Sequence, residues 1–152
     1  MTTVVLVHGA WHGPWCWDMV RAGLDERAIP TVAPELPLTS LADDAAALRD
    51  VLDRLDDDTV VVGHYYGGSV VTLGAIGAER VRHLVYLCAF MIEPGLPVKP
   101  DGRPLIQDAV QVRDDWTTID PAHARGAFYG DVPPDLTAVA VERLRPFAAL
   151  PR

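Results

Sequence analysis

The sequence predicts an α/β fold, a short parallel sheet with helices on both faces. Short apolar runs rich in β-branched residues alternate with stretches that show helical periodicity, and strands buried on both faces have this composition. Such alternation is typical of right-handed strand–helix–strand crossovers in a parallel sheet. The four predicted strands cover residues 4–7, 31–33, 59–62 and 84–88.

The predicted helices follow from caps, prolines and apolar stripes. Pro14 opens a first helical stretch that ends before Pro30, and proline is favoured in the first turn of a helix. Ser40 is a suitable N-cap for the clearest amphipathic helix, from Leu41 to Leu55. A helix of small residues is expected from Gly67 to about Glu79, and another after Pro133–Pro134. The last of these has a predicted apolar face of Leu136, Val139, Ala140 and Leu144.

The composition indicates one globular domain and argues against several classes of partner. The chain has 152 residues and a formal net charge of -8, with 21 acidic and 13 basic side chains. This balance argues against binding to nucleic acid or to an anionic membrane. The N-terminus lacks the basic region of a signal peptide and no apolar run reaches the length of a membrane span, so a cytoplasmic location is expected.

Cysteine usage points to neither a disulfide framework nor a metal site. Cys16 and Cys88 are too few and too far apart for either, and Cys88 is expected to be a small buried apolar residue. The sequence implies no metal ion and no organic cofactor.

The segment that bears on chemistry runs from Val60 to Gly68, with the sequence VVVGHYYGG. A strand, a G-x-x-x-G turn and a helix form the setting of a nucleophile elbow, in which a strained central residue presents its side chain to the active site. In working hydrolases the central residue is a serine, whereas here it is Tyr65. A phenol has a pKa near about 10 and is a poor nucleophile at neutral pH without a neighbouring base or cation.

A second motif, His8-Gly9-Ala10-Trp11, follows the first predicted strand. A turn at this point can direct a backbone N–H toward the elbow. The expected oxyanion-hole donors are the backbone N–H groups of Ala10 and Tyr66, and such donors do not depend on side-chain identity. His8 is expected to brace the turn by a hydrogen bond.

Together the motifs VLVHGAWHGPWCWDMV and VVVGHYYGG resemble those of the α/β-hydrolase superfamily, in particular its small esterase and hydroxynitrile-lyase group. The segment AFYGDVPPDLTAVAVERLRP is similar to the cap of these proteins. The resemblance implies a partial α/β-hydrolase fold with an N-terminal core in residues 1–90 and a cap or lid segment in residues 91–152. It also implies a sheet in the order second, first, third, fourth strand.

The resemblance also defines what an active member of the group would contain. Its members follow the cap with two more strand–helix units that carry the triad aspartate and histidine, so we expect this polypeptide to lack both of them as well as the serine. Tyr65 then has three interpretations: decay of a dead site, a residue that fills space in a binding pocket, or a phenol acting as acid or base. Ser69, one turn into the next helix, is expected to face away from the elbow.

A substrate pocket is expected beside the C-terminal ends of the strands. Its predicted lining is His8, Ala10, Trp11, His12, Tyr65 and Tyr66 with cap residues. The remaining histidines, His64, His83 and His123, are expected to be structural or outside the pocket, and Glu93 to be a solvated loop residue.

Three functions remain open from the sequence. The chain is an esterase relative with little or no hydrolytic activity, a small-molecule binding or accessory protein, or a non-hydrolytic lyase or isomerase that uses Tyr65. The expected partner is a small ligand or an ester-like substrate. The apolar strand at residues 84–88 would have a bare outer edge, so association with a second copy or a complementing chain is also expected.

Overall fold

The main sheet has the predicted strand order. The computed structural model describes residues 1–92 and 105–148. Four parallel strands are arranged in the order β2-β1-β3-β4. They are β1 Thr2–Val7, β2 Thr31–Val32, β3 Asp58–His64 and β4 Val81–Leu87. The β-branched runs are buried at the centre of this sheet, where Val5, Val7 and Val61 are fully inaccessible to solvent.

The helices of the core begin close to the predicted positions. Residues Pro14–Trp17 form a 3-10 turn that leads into α1, Asp18–Asp25. Helix α2 spans Leu41–Leu52, and its predicted N-cap is confirmed because the Ser40 hydroxyl accepts a hydrogen bond from the Asp43 N–H at 3.0 Å. Helix α3 spans Gly67–Gly74. Both α2 and α3 end earlier than the predicted Leu55 and Glu79.

The cap contains more regular structure than the irregular, partly helical segment that the sequence suggests. The predicted helix after the proline pair is α5, Pro134–Glu142, and α4 at Pro121–Phe128 precedes it. Three short antiparallel strands form a second sheet in the order β5-β6-β7. These strands are Val110–Arg113, Trp116–Ile119 and Phe147–Ala148. The predicted loop from Ile92 to Pro104 lies, apart from its first residue, outside the described residues, as does Glu93.

Cap and core are joined by hydrogen bonds and by a shared apolar cluster. The Trp11 carbonyl accepts from the Arg145 N–H at 2.8 Å, and the Trp11 indole N–H donates to Thr117 Oγ1 at 3.0 Å. Ile119 and Phe147 of the cap belong to the same buried cluster as the central strands. None of the helices in the described parts of the chain is long and apolar enough to span a membrane.

Candidate functional site

The turn between β3 and α3 has the backbone geometry of a nucleophile elbow. Tyr65 adopts φ +53°, a left-handed conformation that costs a non-glycine residue energy. A Cβ at Gly63 would lie 2.6 Å from the Gly67 carbonyl oxygen, and one at Gly67 would lie 2.6 Å from the Val7 carbonyl oxygen. Only glycine allows this close approach of the strand, the turn and the helix.

The Tyr65 side chain faces a cavity but has no activating partner among the residues that the structure describes. Its ring lies 5.0 Å from the Phe90 ring, 6.2 Å from the Trp11 ring and 6.5 Å from the His64 ring. Among the described residues, none makes a hydrogen bond to its hydroxyl. Burial raises the pKa of Tyr65, so the phenol keeps its proton at neutral pH.

The two expected oxyanion-hole donors are available. Neither the Ala10 N–H nor the Tyr66 N–H donates a hydrogen bond to any residue in the described parts of the chain. Ala10 lines the cavity, and Tyr66 is the N-cap residue of α3. Unpaired N–H groups of this kind can bind a carbonyl or an oxyanion of a ligand.

The Tyr66 side chain points away from the cavity and anchors the elbow to α2. Its hydroxyl donates to Asp44 Oδ2 at 2.6 Å, and Asp44 Oδ1 accepts from the Leu38 N–H at 2.7 Å. Asp44 is fully buried. Desolvation, opposed by these two hydrogen bonds, raises the pKa of Asp44. Burial raises the pKa of Tyr66, so its hydroxyl remains the donor. The pair holds the residue whose N–H is a predicted oxyanion donor.

His8 braces the turn, as expected, but does not line the cavity. The ring is fully buried, with Nδ1 at 2.9 Å from the Gly9 carbonyl oxygen and Nε2 accepting from the Leu36 N–H at 3.1 Å. The carbonyl requires a donor, which places the proton on Nδ1. Burial lowers the pKa of His8 to about 4, so the ring is neutral at pH 7.

Trp11 is likewise outside the cavity lining, which corrects the pocket expected from the sequence. It adopts φ +59° and is only 6% exposed. Its indole reaches the cap strand β6 through Thr117, so it packs between core and cap. The large apolar ring is better buried there than at the mouth of a pocket.

A cavity of about 710 Å³ lies between the ends of β1, β3 and β4 and the helices α4 and α5. Its wall is rich in aromatic side chains: Trp15, Trp17, Tyr65, Phe128 and Tyr129. Leu136, Val139 and Ala140 of α5 face it, which explains why the predicted apolar face of that helix is half exposed rather than packed. Arg143 and Asp18 also line it, as an ion pair with a 3.8 Å separation.

His12 lines the cavity, as predicted, and is held at both ring nitrogens. Nδ1 lies 2.9 Å from the Ala10 carbonyl oxygen, and Nε2 lies 2.9 Å from the Tyr129 hydroxyl. Burial lowers the pKa of His12. The histidine therefore connects the loop after β1 to the end of α4 in the cap.

The sequence matches the Alpha/beta hydrolase family over residues 4–152, nearly the whole chain. The chain belongs to the alpha/beta hydrolase family. Its relatives include esterases: it is 40% identical to a carbendazim hydrolyzing esterase of Nocardioides sp. over 108 residues, 62% of this chain and 45% of that protein. It is 32% identical to Methylesterase 7 of Arabidopsis thaliana over 123 residues, 70% of this chain and 47% of that protein. The chain thus spans about half the length of these relatives.

Solved structures of family members superpose on most of the chain. A methylesterase from Arabidopsis matches with a TM-score of 0.79 at 22% identity, covering 97% of this chain and 67% of that chain. A pyrethroid hydrolase from Sphingobium faniae matches with a TM-score of 0.74 at 27% identity, covering 88% of this chain and 63% of that chain. These likenesses confirm the predicted fold class.

Two residues of the cavity lining lie elsewhere than the sequence suggested. His64 was expected to point into the structure, yet it lines the cavity with its ring 6.2 Å from the Trp17 ring, and burial lowers its pKa. Cys88 was expected to be buried, yet it is exposed, adopts φ +44° and also lines the cavity. His64 is the last residue of β3 and Cys88 directly follows β4, so both lie where side chains reach the ligand-binding edge of the sheet.

The remaining candidates lie outside the cavity lining. Ser69 is fully buried and its Oγ has no hydrogen-bond partner among the described residues. His83 is exposed on β4, and His123 is exposed and bonds to Asp120 at 3.2 Å. No group of three His, Cys, Asp or Glu side chains suited to a metal ion occurs within the described ranges.

The sequence reasoning missed the cap residues that line the cavity, Tyr129 above all. One signal was available: Asp120 followed by Pro121 is an N-cap followed by proline, which predicts α4 and therefore a helix end near Tyr129.

Proposed function

We propose that this chain is an esterase-related member of the alpha/beta hydrolase family with little or no hydrolytic activity. The observation that carries the proposal is Tyr65, a protonated phenol at the nucleophile position with no described base hydrogen-bonded to it. Acyl transfer requires a nucleophile that loses its proton as it attacks. Nothing among the described groups around Tyr65 accepts that proton.

The expected loss is large. In a serine hydrolase the removal of the nucleophile lowers kcat by about 10⁶, and what remains comes from the oxyanion hole and from binding. Here the N–H groups of Ala10 and Tyr66 supply that remainder. The phenol ring also occupies space beside the two donors that a serine would leave to the acyl group.

The test is p-nitrophenyl butyrate hydrolysis by the protein, by Tyr65→Ser and by Tyr86→Phe. Tyr86 is a matched tyrosine on β4 whose hydroxyl bonds to Thr72 at 2.9 Å, outside the cavity lining. We expect the parent protein and Tyr86→Phe to release nitrophenol at the buffer rate. Saturable turnover by the parent would contradict the proposal. Turnover gained by Tyr65→Ser would show that a base reaches position 65.

Binding of a small molecule is the second candidate, favoured by the cavity itself. Its volume of about 710 Å³ and its aromatic wall suit a drug-sized, largely apolar ligand, and the N–H of the lining residue Ala10, which has no acceptor among the described residues, suits a carbonyl oxygen. Stabilisation of the fold by aryl ketones or esters without their turnover would support this function. The absence of any thermal shift with such compounds at millimolar concentration would count against it.

The outer edge of β4 supports a proposal about association. β4 is the edge strand of the main sheet, and its Leu84, Val85 and Leu87 are 38%, 42% and 46% exposed. An exposed apolar edge pairs readily with another strand. We therefore propose association through β4, which light scattering tests: the apparent mass should rise with concentration and fall toward that of a monomer in Val85→Lys. A monomer at every concentration would contradict this proposal.

A further inference from the structure

Two tyrosine hydroxyls, those of Tyr65 and Tyr129, belong to residues that line the cavity, and they differ in their partners. The Tyr65 hydroxyl has no hydrogen bond to a described residue. The Tyr129 hydroxyl lies 2.9 Å from His12 Nε2. A phenol that is hydrogen-bonded to an imidazole can transfer its own proton to the imidazole while its oxygen accepts a proton from a ligand. Among the described residues, Tyr129 and not Tyr65 is therefore the cavity tyrosine with a partner for proton transfer.

The direction of this hydrogen bond follows from the other ring nitrogen of His12. The Ala10 carbonyl oxygen lies 2.9 Å from Nδ1, and a carbonyl can only accept, so Nδ1 carries the proton. Nε2 is then the basic nitrogen, and the Tyr129 hydroxyl donates to it. The ring is further fixed by Phe128, whose ring lies edge-on at 5.0 Å, and by Trp15 at 5.3 Å.

Protonation states at neutral pH suit an acid–base pair. Burial lowers the pKa of His12, which leaves Nε2 with a free electron pair. Burial raises the pKa of Tyr129 to about 12, which keeps the hydroxyl protonated until a proton is exchanged. His12 also lies two residues beyond Ala10, and both residues line the same cavity. The loop after β1 therefore contributes both a predicted oxyanion donor, the Ala10 N–H, and the basic nitrogen, His12 Nε2.

We propose that Tyr129 and His12 form a catalytic acid–base pair that enolises a carbonyl ligand bearing a C–H next to its carbonyl. This inference rests on the proposed function in so far as the cavity receives such a ligand. The C–H bond breaks, its electron pair becomes the carbon–carbon double bond, and the carbonyl electrons move to oxygen. The N–H groups of Ala10 and Tyr66 stabilise the resulting enolate.

The proton balance closes within the pair. The Tyr129 oxygen takes the proton from carbon while its own hydroxyl proton moves to His12 Nε2, so the products are an enolate and an imidazolium. Return of a proton by the reverse path restores every group and leaves the ligand exchanged or isomerised. The step needs no oxidant, reductant or second substrate.

The test is deuterium exchange into phenylacetone, an apolar benzyl ketone with C–H bonds next to its carbonyl, followed by the loss of its benzylic proton signal in D₂O. We expect the protein to exceed the buffer rate by about 10² or more, the usual scale of general acid–base catalysis. Tyr129→Phe and His12→Gln should return exchange to the buffer rate. His12→Gln keeps a hydrogen-bond acceptor toward Tyr129 but has no basic nitrogen. Tyr129→Phe keeps the ring and its packing, so Tyr129→Phe is the deciding variant if His12→Gln fails to fold.

Matched controls are His123→Gln and Tyr86→Phe, which change the same residue types outside the cavity and should exchange like the parent. Phenylacetone bound without exchange by the parent would overturn this inference alone. Exchange that survives in Tyr129→Phe would also overturn it, and loss in Tyr65→Phe with retention in Tyr129→Phe would assign the base to the elbow instead. Failure of phenylacetone to shift the melting temperature would overturn this inference, and ligand binding is rejected with it when the aryl ketones and esters also give no shift.

Discussion

Acidification is expected to destabilise the fold through His8. The folded ring is neutral, with a pKa of about 4 against an ordinary value of 6.5. Below pH 6.5 the unfolded chain binds a proton that the folded chain refuses, so the stability from neutral His8 is lost as the pH falls from 6.5 toward 4. That interval of about 2.5 pH units, at about 1.4 kcal/mol per unit, corresponds to about 3 kcal/mol. Protonation would also place a hydrogen on Nε2. The Leu36 N–H, which donates a hydrogen bond to Nε2 in the neutral ring, would then face a second donor.

The assay is urea unfolding of the parent and of His8→Gln at several pH values between about 7.5 and about 4.5. His12 and His64, whose pKa values burial also lowers, contribute to both curves and cancel in their difference. At high pH the parent should be the more stable protein, because its ring makes two hydrogen bonds. That advantage should shrink by about 2 to 3 kcal/mol at the acid end. A difference that is independent of pH would refute the account of His8.

Three further substitutions test the elbow and its supports, each by urea unfolding at neutral pH. Gly63→Ala places a Cβ 2.6 Å from the Gly67 carbonyl oxygen and should cost about 3 kcal/mol; a neutral effect would mean that the turn relaxes easily. Tyr66→Phe leaves the buried Asp44 carboxylate without its 2.6 Å hydrogen bond and should cost about 1 to 3 kcal/mol, with an unchanged midpoint as the contrary result. Ser40→Ala removes the N-cap of α2 and should cost about 1 kcal/mol, and no loss would show that water replaces the cap.

The main sheet was predictable because its central strands are buried, and buried strands consist of continuous apolar, largely β-branched residues. The run from Val4 to Val7 is β-branched except for Leu6, the run from Thr59 to Val62 is β-branched throughout, and both lie at the centre of the sheet. The elbow was predictable because its glycines are required by the close approach of backbone atoms at Gly63 and Gly67. A steric requirement of this kind restricts the residue type at each position to glycine, so it is visible in the sequence.

The cap and the cavity wall were less predictable because tertiary contacts decide them. Strands β5 to β7 are two to four residues long, which is too short for a clear alternating pattern. The side-chain directions of His64 and Cys88 depend on where β3 and β4 end, which composition does not encode. Tyr129 becomes a candidate only when α4 brings it to His12, a contact across 117 residues of sequence.

Intact-mass spectrometry after exposure to a fluorophosphonate, which labels activated hydroxyl nucleophiles, tests directly whether Tyr65 can act as a nucleophile. We expect the mass to remain unchanged, because Tyr65 is protonated and no base among the described residues hydrogen-bonds to it. An adduct that peptide mapping assigns to Tyr65 would contradict the account, since it would show an activated nucleophile at the elbow.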